Sequence, residues 1–148
     1  MTTLKKSKII YWTTTGIIFL LEGVMPALTS HTPLAVEGIR HLGYPDYFRV
    51  MLTVFKVAGA LALILPFVGA RFKEWAYAGF GITMISAFIS HWAVDGFTGL
   101  TLFPLIIFAI LVVSYVSYER LGRISGLSLK FNKESIKNSD YVVSRIPQ

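Results

Sequence analysis

The stretch LFPLIIFAILVVSYVSY, from Leu102 to Tyr118, carries no charged side chain. At a rise of about 1.5 Å per residue, a helix of that length crosses most of a hydrocarbon core about 30 Å thick. Three other runs share its character: Ile9 to Leu28, Tyr47 to Gly69 and Trp75 to Val94. A backbone in lipid must satisfy its own hydrogen bonds, so long apolar runs of this kind are helices. The expected fold is all-α, an integral membrane bundle of four helices.

Composition agrees with that reading. Of the 148 residues 54% are hydrophobic, and the mean hydropathy of +0.62 lies above the usual soluble balance. No cysteine is present, which excludes a disulfide framework, an iron-sulfur cluster, a thiol redox pair and a Cys-ligated zinc site. The net charge of +6 belongs beside the apolar runs, where it sets topology and does not point to nucleic acid. Lys5, Lys6 and Lys8 before an apolar run imitate a signal peptide. The run is too long for one and carries Glu22, so it is expected to stay as an anchor.

Sidedness follows from the cations outside the runs. Lys5, Lys6, Lys8, Arg71, Lys73, Arg120, Arg123, Lys130, Lys133, Lys137 and Arg145 fall on one side; Arg40 and Arg49 fall on the other. The excess predicts both termini in the cytoplasm. Residues 1–8 then form a short basic N-terminus, 9–118 the transmembrane domain, 29–46 its outer loop, and 119–148 a basic tail too polar to bury much surface and expected to be mobile. Within the outer loop, Thr32-Pro33 reads as a helix start and Gly43 as its end, with Val36, Ile39 and Leu42 on one face. Pro26, Pro66 and Pro104 are expected to shape helix ends only.

Ionised groups deep in a bilayer cost several kcal/mol and need a partner or a cavity. Glu22 lies about 9 Å from the outer end of the first run and Lys56 about 14 Å into the second, depths that suit direct pairing. On the third run Ala76, Gly79, Thr83, Ser86, Ala87 and Ser90 recur by threes and fours, a small-residue face expected to pack inside the bundle and to turn His91 inward. Glu22, Lys56, Ser86, Ser90 and His91 are therefore the candidate polar cluster, with Asp95, His31 and His41 at its rim. It would suit proton transfer or a polar head such as a quinone ring, or act as a hydrogen-bonded core network. The histidine spacing matches no ligand motif, and no metal is expected. Phosphate-cradling glycine loops, a GxSxG elbow and a HExxH helix are absent.

Several segments together resemble a known family: Lys8-Ile9-Ile10-Tyr11-Trp12, Leu42-Gly43-Tyr44-Pro45, Lys56-Val57-Ala58-Gly59-Ala60-Leu61-Ala62-Leu63 before Leu65-Pro66, and Lys73-Glu74-Trp75-Ala76-Tyr77-Ala78-Gly79-Phe80 leading to Ser90-His91. From about Lys8 to Tyr118 the chain is similar to the DoxX-like family of small bacterial membrane proteins. The resemblance implies a four-helix bundle in the bacterial inner membrane and draws attention to Lys56, Ser90 and His91. The family takes its name from a relative associated with thiosulfate:quinone oxidoreduction, and wider relatives are linked to oxidative-stress complexes and receptor assembly. This chain departs from the family pattern late in the first helix, with Glu22-Gly23 and then Pro26 where Ser-Gly and a lysine are common.

The leading functional expectation is a subunit or accessory protein of a membrane complex, with a membrane or membrane-associated protein as partner. The alternative is a quinone-binding oxidoreductase component. A third is a small-solute carrier, which would need an oligomer because four helices leave little room for a pathway.

Overall fold

The computed structural model describes residues 3–143, with side chains as far as residue 133. Helix α1 (Thr3–Ile18) passes into a π-helical segment, Phe19–Val24, and on into α2 (Met25–Thr29). Then follow α3 (Pro33–His41), α4 (Asp46–Ile64), α5 (Ala70–Asp95) and α6 (Gly99–Val143). No strand occurs among the described residues. Four stretches are long and apolar enough to cross a membrane: Thr3–Thr29, Asp46–Ile64, Ala70–Asp95 and Gly99–Lys133.

The four spans close into a ring. α1 packs on α6, α6 on α5, α5 on α4, and α4 on the π segment. An even number of spans puts both chain ends at one end of the bundle and α3 at the other. The core is Ile18, Ala60, Leu63, Tyr77, Phe80 and Leu111, one side chain or more from every span. Leu34, Phe55, Ile82 and Phe103 face outward, as suits a protein whose solvent is lipid. Cohesion between such helices comes from close packing and buried hydrogen bonds. Both are present: the fully buried Thr15 and Ser114 hydroxyls bond at 2.8 Å, and Tyr77 reaches Ser114 at 2.9 Å, which ties α1, α5 and α6 together.

Local chemistry explains where the helices differ from expectation. The second span stops at Ile64, short of Gly69, because Pro66 biases the residue before it away from helix; Leu65 is extended, with φ −75 and ψ 125. The third span starts at Ala70, so that Arg71 and Lys73 lie on helix and not in the link. The last helix does not break after Tyr118 but continues to Val143, with 125–133 exposed. Residues 144–148 of the expected tail lie outside the described residues. Pro104 is buried inside α6 and is not at its end.

One expectation about packing is corrected. The buried face of α5 is Lys73, Tyr77, Phe80 and Met84, not the stripe of small residues. Ala76, Gly79 and Thr83 instead line a groove between α4 and α5 that opens sideways, and Ser86 is exposed. Large aromatic side chains fill the interior more densely than small ones, and the small ones are left to form the groove.

Candidate functional site

Pro26 shapes the site from a distance of one helical turn. A proline inside a helix has no N–H to give, and its ring collides with the carbonyl four residues back, here that of Glu22. The chain responds by widening: the Met25 N–H bonds the Leu20 carbonyl, five residues back, in the π segment. Single-turn π segments of this kind recur at functional sites. Glu22 and Gly23 lie in it, and both are buried. The proline thus does more than finish the helix.

Gly23 brings the first span against α4. A Cβ built on it would stand 2.7 Å from the Ala60 Cβ, inside any normal contact distance, so only glycine allows this approach. One turn away on α4 is Lys56, whose Nζ lies 2.7 Å from Glu22 Oε2. The Glu22 and Lys56 side chains are 7% and 20% exposed, so the pair is held largely away from surroundings. The approach lies off hydrogen-bond geometry, and Glu22 Oε2 has no hydrogen-bond partner. The contact is an ion pair with unused acceptor capacity.

Lys56 also lines a cavity of about 300 Å³ beneath α3. Arg49 and Thr53 of α4, His91 of α5, and Pro26, Thr29 and Ser30 at the end of the first span share its wall. α3 roofs it with Ala35, Gly38 and Ile39, and Leu42 follows. That helix starts where Thr32 accepts a hydrogen bond from the Ala35 N–H and Pro33 takes the first position, and ends before Gly43 at φ +83. A positive φ of that size favours glycine.

Polar contacts strap the roof down. Asp95 accepts from or shares a proton with His91 Nδ1 at 2.9 Å and His41 Nε2 at 2.5 Å, joining α5 to α3. Arg40 donates through Nε and Nη2 to the two oxygens of Asp46, at 2.8 and 2.5 Å. The Tyr44 hydroxyl meets Ser90 Oγ at 2.7 Å. Of the expected cluster, then, Glu22 and Lys56 pair directly and His91 faces the same cavity as Lys56. Ser90 is spent on Tyr44, Ser86 stands apart, His41 and Asp95 form the rim, and His31 is exposed outside it. Among the described residues no three His, Asp or Glu side chains converge as metal ligands would.

Sequence reasoning missed a second buried cation. Lys73, which the sequence places among the cations outside the runs, is 5% exposed, and its Nζ donates to the Leu63 carbonyl at 2.8 Å and to the Tyr11 hydroxyl at 3.3 Å. Tyr11 also donates to Leu63, at 3.2 Å. The last carbonyls of a helix lack internal partners and carry partial negative charge. Lys73 therefore serves as the C-terminal cap of α4. The signal was Pro66, which cuts α4 short and orphans those carbonyls.

A family model, described as that of the DoxX-like family, matches residues 11–114. The chain belongs to the DoxX-like family. No curated protein and no solved structure matches it. In this DoxX-like protein the matched segment contains Glu22, Lys56, Lys73, Ser90 and His91, together with the whole cavity wall. It leaves out the part of α6 beyond Ser114. The DoxX-like bundle can offer a ligand donors from Lys56, Arg49 and His91, one buried carboxylate beside them, and a roof in α3.

Proposed function

We propose that this DoxX-like membrane protein is a small subunit or accessory protein of a membrane complex, and that it contributes a site for the polar head of a ligand dissolved in the bilayer. The reading is carried by the double placement of Lys56. Its ammonium is paired with Glu22, and its side chain also lines the cavity beneath α3. An ion pair that only fixed helix register would gain nothing from facing a cavity, because buried pairs are most stable when fully enclosed by good partners. The excess of Lys and Arg at the end of the bundle holding both termini supports a cytoplasmic placement of that end, with α3 outward. The family resemblance supports the inner membrane of a bacterium.

A redox form of the same reading makes the head a quinone ring. It is favoured by Glu22, a buried carboxylate held against the Lys56 ammonium that lines the cavity. Lys56 or His91 would bind a ring oxygen, and Glu22 would relay a proton. Native mass spectrometry of the protein drawn from its own membranes, followed by organic extraction, tests both forms. A stoichiometric quinone lost in Lys56→Met and His91→Ala supports the redox form. A second polypeptide retained with no ligand supports the accessory role alone, and a bare chain with neither overturns the proposal.

A further inference from the structure

One cation beside the cavity beneath α3 lacks a carboxylate partner. Glu22 is paired with Lys56, Asp46 is held through both oxygens by Arg40, and Asp95 is engaged by His41 and His91. Arg49 has no carboxylate within ion-pair distance among the described residues. It donates through Nη1 to the Ser30 carbonyl, and its Nε is buried with no partner. A guanidinium in such a place has a donor fork suited to a carboxylate or phosphate. A buried donor left unmatched is costly.

Lys56 and Leu52 line a second space as well, the groove of about 530 Å³ between α4 and α5. Its walls are apolar, with Phe55, Phe72, Trp75 and Phe80 around a strip left open by Gly59 and Gly79. From Leu52 to Ala62 the α4 backbone rises about 15 Å, half the thickness of a hydrocarbon core. Phe55, Phe72 and Trp75 of its walls are exposed on the outside of the bundle, the side from which an apolar chain in the bilayer would arrive. We infer that cavity and groove form one site for an amphiphile with an anionic head, held by Arg49, and a single long apolar chain lying between α4 and α5. This rests on the headgroup reading of the cavity and gives its ligand a charge and a shape.

The chain's own tryptophan reports on the groove. In the full-length protein carrying Trp12→Phe and Trp92→Phe, Trp75 is the one tryptophan left and can be excited apart from the tyrosines. Reconstituted in phosphatidylcholine nanodiscs and titrated with brominated stearate, it should be quenched saturably. Arg49→Met should weaken the saturating phase about tenfold or more, as the loss of a charge-assisted bond does, and Arg49→Lys, which keeps the charge but not the fork, should restore part of it. If Arg49→Met does not fold, Arg49→Gln takes its place. The methyl ester of the same acid should quench only in proportion to its membrane concentration. Brominated lysophosphatidylglycerol, which also has one chain, in the same titration separates a free acid from an acidic lipid as the source of the head: the one that saturates at lower mole fraction is the source. Saturation by the ester as well as by the acid, or equal quenching in the Arg49 variants, overturns the inference. A short-chain quinone that still protects Trp75 in Arg49→Met protein would overturn the anionic head and leave the headgroup cavity standing. No saturable effect of any probe would remove both.

Discussion

The pair Glu22 and Lys56 sets the energetics at the scale of single residues. Its members are mostly buried and close enough to neutralise one another, so removing either leaves the other charge without its partner. Glu22→Gln and Lys56→Met are each expected to lower unfolding stability by about 3–5 kcal/mol. Together they should cost far less, because the double change removes both charges. Unfolding in mixed micelles measures all three, and single variants as stable as the parent would show that the pair does not exist in the bilayer. This pair was legible in the sequence, since two ionisable residues in apolar runs at matching depth have few other ways to be accommodated. Lys73 was not legible in the same way. Its partners are backbone and hydroxyl oxygens, and the one signal, Pro66, marks where α4 stops and not which side chain caps it.

At the scale of elements, the site depends on how the first span meets α4. Pro26 widens the helix around Glu22, and Gly23 lets the backbone approach Ala60. Gly23→Ala is expected to destabilise the bundle by about 1–3 kcal/mol, as overpacking does, and Ala60→Gly in the same chain should recover most of that loss by returning the space. Thermal unfolding of the two variants checks this; an unchanged melting point in Gly23→Ala would mean that the helices are not in contact there. The helices themselves were plain from hydropathy, and the start and end of α3 from Thr32-Pro33 and Gly43. The π segment was not, because a proline near a helix end is ordinary, and its effect on the preceding turn depends on which residue's carbonyl it meets. The face of α5 was misread for a related reason. Small residues at helical spacing mark close approach only when a partner backbone is there to approach, and here α4 leaves a groove beside them.

At the scale of the molecule, four spans and the DoxX-like family make a membrane protein with both chain ends on one side. Which side is a matter of charge, and it can be measured because the chain has no cysteine of its own. A cysteine introduced for Glu37 on α3 should react with an impermeant maleimide on intact cells, and one introduced for Lys130 on α6 only after lysis; the reverse pattern would invert the topology. The bundle was readable from sequence because lipid imposes length and apolarity on every span. The cavity was not, since it arises where α3 folds back over α4 and α5, an arrangement set by contacts such as His41 to Asp95 and Tyr44 to Ser90. The central claim is that the polar groups inside this bundle hold a ligand and do not merely fix its helices. The Glu22→Gln, Lys56→Met double variant separates the two roles, because it should fold like the parent. Native mass spectrometry of parent and double variant, drawn from the same membranes, should show a small molecule bound to the parent and absent from the variant. Equal occupancy in the two folded proteins would contradict the claim.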